Sequence, residues 1–246
     1  MQLLIPTPIR RAVGALLDLL YPPHCAICLC KTHTGEHLCP ACRKDAPAIR
    51  APFCATCSEP FFGRIDGAFL CPNCRERRLR FTCAVSRHPS RGAVRTLIHR
   101  FKYSGKVYLR NVLTDWLAET LEDSRLQFPP CDRLVPVPLH PTRERERGFN
   151  QALLLAEGLA RRSAIPLADC LKRTRYTTTQ TIFDREARME NLRGAFQMRQ
   201  NADVRNLHLL LIDDVFTTGS TVDECARVLR DAGAASVRVA TVARAC

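Results

Sequence analysis

Four Cys-x-x-Cys pairs fall within fifty residues of the N-terminal part of the chain: Cys25/Cys28, Cys39/Cys42, Cys54/Cys57 and Cys71/Cys74. A two-residue gap lets a tight turn aim both sulfurs at one ion, and two such pairs complete a closed tetrahedral site. The expectation is two structural zinc ions, stabilising a segment too short and polar to fold alone. Pairing in chain order leaves loops of ten and thirteen residues and lets a small ribbon fold around each ion independently. That order is preferred, while a cross-braced one, first with third and second with fourth, stays open. Cys30 lies two residues past Cys28 and is read as a spectator. His24, His33 and His37 are read the same way, because the cysteines already fill both sites. Four copies of the pair exceed what one dithiol exchange needs, which argues against a redox role.

The chain has 246 residues, 46% of them hydrophobic. That is enough for one core of about 150 residues beside a smaller module. The formal net charge is +13. A zinc ion with four thiolates carries −2, so two loaded sites lower this to +9. The basic bias points to an anionic partner, phosphate ester or nucleic acid, although it is spread along the chain. The opening "MQLLIPTPIRRAVGALLDLLYPP" carries arginines and Asp18 among its apolar residues and lacks a small-residue cleavage site, so it does not read as a secretory signal. No run approaches the roughly 18 to 20 apolar residues of a membrane span. Ile9 to Leu20 reads as an amphipathic helix that docks on the body or on a partner. A cytoplasmic location is expected, where fourteen cysteines argue for metal rather than disulfides.

Three parts follow: a helix over residues 1–20, a cysteine-rich module over 21–80, and a larger domain over 81–246. In the last, "TCAVSR", "RLVPVPL", "AFQM", "LHLLLID" and "SVRVATVA" read as strands. The prolines confine the second to an edge or a strand end. "AVRTLIHRFKY", "VLTDWLAETL", "QALLLAEGLARR" and "TVDECARVLRDAG" read as helices, with Val112, Leu113, Trp116, Leu117 and Leu121 on one face of the second. "HPTRERERGFNQ" reads as a loop. Strands alternating with helices indicate an α/β fold with a parallel sheet covered on both faces.

"LLLIDDVFTTGSTVDE" carries the chemistry. Leu209 to Ile212 is apolar throughout, as a buried central strand should be, and Asp213 and Asp214 then stand at the edge where such sheets bind ligands. The following loop opens a helix, whose first amides lack partners and whose dipole favours anions. Gly219 admits a bulky anion, and Thr217, Thr218, Ser220 and Thr221 offer hydroxyls. A phosphate suits the loop; the carboxylates must address hydroxyls or a metal ion. One ligand combines these parts, a ribose 5-phosphate unit. The rival is an ordinary helix cap after a buried strand. No Walker A loop is present.

The stretch resembles the signature of type I phosphoribosyltransferases, which bind 5-phosphoribosyl 1-diphosphate (PRPP) with Mg²⁺. "VPVPLHPTRERERGFNQA" and "LKRTRYTTTQTIFDREARMENLRGAF", together with the cysteine module, resemble the ComF/GntX-like family, zinc ribbons joined to such a domain, over nearly the whole chain from Tyr21. The resemblance implies a type I phosphoribosyltransferase fold with PRPP held by Asp213, Asp214 and Thr217 to Thr221. It also implies that Arg143 to Gly148, including Arg147, flank the diphosphate, and that Arg173 to Asn191 form a flap. Alternation of Arg143, Arg145 and Arg147 with Glu144 and Glu146 fits a solvated charge ladder equally well. Gln180, Arg188 and Asn191 suit either a lid that orders on binding or a plain surface helix.

The implied chemistry is displacement of diphosphate at ribose C1, with magnesium on the diphosphate and the aspartates on the ribose. The acceptor is expected to be read by Phe81 to Asp123, which matches no nucleobase-specific pattern. Two rival roles use the same fold. One is an adaptor for single-stranded DNA, since the resemblance links the family to natural competence, though one Trp and four Tyr offer few stacking platforms. The other is a sensor that binds PRPP without transfer.

Overall fold

The computed structural model describes residues 22–33, 36–65, 67–176 and 192–245. The expected helix from Ile9 to Leu20 lies outside them, as do Gln180, Arg188 and Asn191 of the expected flap. The described strands are β1 (Ala84–Pro89), β2 (Arg133–Pro136), β3 (Leu171–Arg173), β4 (Phe196–Met198), β5 (His208–Phe216) and β6 (Ser236–Arg244). Four of them form one sheet in the order β1-β6-β5-β2, with every pairing parallel. β2 takes an edge, where its prolines are tolerated. β3 and β4 form a separate antiparallel pair. The partner of "AFQM" was not expected, because a three-residue strand is too short to show a period.

The helices are α1 (Pro40–Lys44), α2 (Pro72–Arg75), α3 (Gly92–Tyr103), α4 (Arg110–Ala118), α5 (Ser124–Gln127), α6 (Pro141–Arg147), α7 (Gln151–Ser163) and α8 (Ser220–Asp231). α6 corrects the loop expected there. His140 accepts a hydrogen bond from the Thr142 amide, Pro141 occupies the first turn, and Arg145 and Arg147 fill the last. Gly148 then closes the helix in the left-handed region at φ 85°. These are the usual start and stop signals of a helix, and the density of charge concealed them.

Alternate residues of the central strands enter opposite layers. Leu210 and Ile212 pack with Leu97, Phe101, Leu113, Leu117, Leu155 and Leu159 from α3, α4 and α7. Leu209 and Leu211 pack with Val222, Cys225 and Leu229 of α8 and with Phe196. Of the face expected on α4, Leu113, Trp116 and Leu117 are buried, while Val112 and Leu121 are partly buried against the same layer.

The cysteines gather in chain order. Cys25, Cys28, Cys39 and Cys42 form one group, Cys54, Cys57, Cys71 and Cys74 the other, with sulfurs within 4.8 Å of one another in each. A tetrahedron with Zn–S bonds of about 2.3 Å has edges of about 3.8 Å. The Cys28–Cys39 and Cys57–Cys71 sulfurs are both 3.6 Å apart, so the residues fit the ion. Without a cation the thiols compete: hydrogen bonds from Cys57 and Cys74 pull Cys54 below the ordinary thiol value, while Cys54 pushes Cys57 up to about 12. A divalent cation removes that competition. The Cys30 sulfur approaches Cys28 at 3.4 Å yet stays outside the four-sulfur group, as a spectator should.

The two cysteine groups lie on opposite layers of the sheet. Cys25, Leu38 and Cys39 join the α3–α4–α7 layer, and the whole second group joins the α8 layer. Hydrogen bonds reinforce both contacts. The Ala93 amide donates to Asp45 at 3.1 Å on one side, and on the other Ser58 donates to the Ala84 carbonyl at 2.9 Å. Metal analysis of protein purified without chelator is expected to return two zinc ions per chain. Cys71→Ser is expected to remove one of them and to lower the midpoint of thermal unfolding; full zinc content in that variant would break the assignment.

Candidate functional site

β5 delivers two carboxylates to the carboxyl end of the sheet. The strand does not end at them as expected. Val215 and Phe216 continue the ladder opposite Ala243 and Arg244, because β6 is long enough to pair them. Asp213 is half-buried and Asp214 is only 2% exposed. A buried carboxylate needs a partner, and Lys102, near the end of α3, makes an ion pair with Asp214. Burial alone would raise the Asp214 carboxyl, but the Lys102 ammonium holds it below its ordinary range. Burial and the neighbouring Asp214 charge push Asp213 well above the usual carboxylate range. Burial would likewise lower Lys102, but Asp214 raises it above the usual lysine value. One carboxylate is thus fixed as a charge, and its neighbour is biased towards the protonated form.

The loop after β5 turns through Gly219, at φ 80°. A Cβ there would stand 2.6 Å from the Phe216 ring, so the turn requires glycine on steric and on backbone grounds. Gly219 caps α8 and has no side chain to accept from the first amides, of which that of Ser220 donates to the Thr218 hydroxyl at 3.4 Å. The Thr218 and Ser220 hydroxyls bond to each other at 2.9 Å.

A cavity of about 350 Å³ opens between these parts. Asp213, Asp214, Thr217 and Thr221 line it, with Val137, Pro138 and Leu139 beyond β2 and with Arg95, His99, Lys102 and Tyr103 from α3. Arg173 of β3 and Gln151 of α7 complete the lining that matters here. Both aspartates border this cavity, Asp214 with its side chain almost fully buried against Lys102. The other expected residues fall around it. Thr218, Gly219 and Ser220 shape the turn from outside the lining. Arg147 lies at the rim, its guanidinium 5.1 Å from the centre of the Tyr103 ring and its Nη1 bonded to Gln151. Arg143 sits farther out, over the Tyr176 ring at 5.5 Å, and Gly148 serves to end α6.

Two cations were not foreseen. Lys102 follows Phe101 on a helix read only for its apolar face, and nothing in the sequence names its partner. Arg173 was placed in the flap, whereas it belongs to β3 and reaches the cavity. Arg95, Lys102 and Arg173 surround the two carboxylates with positive charge, which suits a ligand with anionic ends and a hydroxylic middle. The expected acceptor region, Phe81 to Asp123, does reach this cavity through α3.

The chain also matches known proteins. Residues 16–75 match the double zinc ribbon domain, and residues 150–245 match the phosphoribosyl transferase domain. DNA utilization protein YhgH of Escherichia coli (strain K12) is 33% identical over 220 residues, 87% of each chain. The chain belongs to the ComF/GntX-like family. Competence protein F of Haemophilus influenzae is 30% identical across 90% of this chain and 96% of its own length. Competence protein ComFC of Bacillus subtilis is 30% identical across 85% of each. This family member thus joins an N-terminal double zinc ribbon to a phosphoribosyltransferase domain on a parallel sheet. No helix among its described residues is long and apolar enough to cross a membrane.

Lys102→Met leaves the Asp214 charge buried without its partner and is expected to cost about 3–5 kcal/mol in urea unfolding. Adding Asp214→Asn should recover part of that loss. Because the Asp214 carboxyl is held low in the folded protein, its stabilisation is complete above the unfolded carboxylate pKa and fades as pH falls through the lower folded value. Wild-type stability in Lys102→Met at neutral pH would contradict the pairing.

Proposed function

We propose that this cavity binds PRPP and that the protein transfers its phosphoribosyl group to an acceptor. The supporting observation is the single opening shared by Asp213, Asp214, Thr217 and Thr221 beside a helix start whose N-cap, Gly219, offers no side-chain acceptor. The 5-phosphate takes the turn from Thr217 to Thr221, where amides and hydroxyls converge. Asp213 and Asp214 take the ribose hydroxyls. Lys102 keeps Asp214 ionised, so that this carboxylate accepts a hydroxyl hydrogen bond and favours positive charge as it develops on the sugar. Asp213, biased towards its protonated form, is suited to donate one hydrogen bond and accept another.

The diphosphate then extends towards Arg95, Arg147 and Arg173. Arg143 and Gly148, placed farther out, act on this end by holding α6. The donor set suits magnesium carried in with the diphosphate, where the ion neutralises charge and orients the leaving group. The reaction breaks the bond from ribose C1 to the diphosphate oxygen and forms one from C1 to the acceptor. Of the residues from α3 that line the cavity, His99 and Tyr103 are left to contact the acceptor side.

We further place this activity in DNA uptake and in the cytoplasm. Support for the first comes from relatives named competence proteins and DNA utilization protein, and from a net charge of +13. Support for the second is that no cysteine among the described residues is in a disulfide and eight gather in two zinc-type groups, which fits a reducing compartment. A PRPP sensor without transfer, or an adaptor for single-stranded DNA, uses the same surfaces.

In a thermal-shift assay with magnesium, PRPP at about 100 times its Kd should add roughly 2.7 kcal/mol. Asp213→Asn is expected to weaken that response, and Asp214→Asn to weaken it further. No shift with the wild type would remove the reading. Conversion of PRPP to free diphosphate only in the presence of an acceptor separates transferase from sensor. Affinity for single-stranded DNA that falls steeply with salt supports the uptake role, and no binding at low salt counts against it.

A further inference from the structure

The second zinc ribbon reaches into the turn assigned above to the 5-phosphate. Arg77, three residues past the cysteine ligand Cys74, donates from Nη1 to the Thr218 carbonyl at 2.7 Å. Its Nη2 lies 3.4 Å from the Asp223 carboxylate in the first turn of α8, and its side chain is only 10% exposed. The Arg80 amide donates to the other Asp223 oxygen at 2.7 Å. One side of the phosphate turn and the start of its helix are therefore held by a segment that the second cysteine group folds.

The other side is held from the same ribbon. Phe216 forms the floor beneath Gly219, and Phe81 packs on it edge-on at 5.9 Å. The Arg244 guanidinium stacks on Phe216 at 5.1 Å, reaches Cys57 Sγ at 3.9 Å and pairs with Glu59. A thiolate on zinc is a hydrogen-bond acceptor, and its outer partners are commonly shared with the surrounding structure. Here they are shared with the ligand-binding turn.

We infer that the second zinc ribbon is a positioning element for the phosphate turn, with Arg77 as its positioning residue. The inference rests on the ribose 5-phosphate reading of the site. Arg77 fixes the Thr218 carbonyl away from the ligand, which aims the following amides at an anion, and zinc fixes Arg77. The coupling is reciprocal: a ligand in the turn must tighten the hold on the zinc ion beneath it.

The test uses the full chain with zinc bound, and ribose 5-phosphate as the probe, with inorganic diphosphate as a control for the far end of the cavity. Arg77→Gln is expected to weaken ribose 5-phosphate about tenfold, the loss of one charge-assisted hydrogen bond. Diphosphate affinity should hold, two zinc ions should stay bound, and Arg77→Lys should restore part of the loss. In equilibrium competition with a chelator, ribose 5-phosphate should protect one zinc ion of the wild type, and Arg77→Gln should abolish the protection. If Arg77→Gln does not fold, Asp223→Asn decides, with the same selectivity at about two- to fourfold.

Unchanged ribose 5-phosphate affinity in a zinc-loaded variant, or zinc retention indifferent to ligand, overturns the inference while leaving the site reading intact. Absence of ribose 5-phosphate binding by the wild type overturns the site reading, and this inference with it.

Discussion

Strand β5 is hydrogen-bonded on both edges and packed on both faces. That burial sets the terms for everything at its carboxyl end. A strand in the middle of a parallel sheet has no route to water along its length, so polar residues near its end meet low dielectric at once. Asp214 is the residue caught by this constraint, and Lys102 answers it from α3. The pair keeps one carboxylate charged, and burial together with that charge biases Asp213 towards its proton. Two adjacent residues of one type thereby acquire different chemistry from position alone.

The zinc ribbons pack on the same sheet rather than trailing from it. Each cysteine group enters one of the two apolar layers, so the metal sites and the sheet share their packing. Sharing of this kind carries geometry as well as stability. Contacts of the second ribbon end on the main chain and helix start that frame the cavity, whereas the first ribbon contacts α3, the helix that supplies Lys102.

Features that repeat locally were legible in the sequence. The Cys-x-x-Cys spacing pointed to two four-cysteine sites, with chain order preferred over a cross-braced grouping, and the apolar run from Leu209 pointed to the central strand, with the turn and helix after it. The prolines confined β2 to an edge or a strand end, and it takes the edge. Long-range pairing was not legible. Arg77 and Thr218 are 141 residues apart, and each looks like an ordinary polar residue in its own neighbourhood. Lys102 was hidden for the same reason, since a lysine beside an apolar helical stripe nearly always meets solvent. α6 was missed because alternating arginine and glutamate drew attention from the proline and glycine that bound it. Of the residues assigned to ligand binding, those on β5 and at Thr217 and Thr221 reach the cavity, while on α6 Arg147 stands at its rim and Arg143 farther out.

Placement of a cysteine group on each layer of the sheet has a cost for the newly made chain. Cys25, Leu38 and Cys39 cover one greasy side, and the residues around Cys54 and Cys74 cover the other. A polypeptide completed while zinc is scarce bares both sides together and offers sticky surface to chaperones and to its own copies.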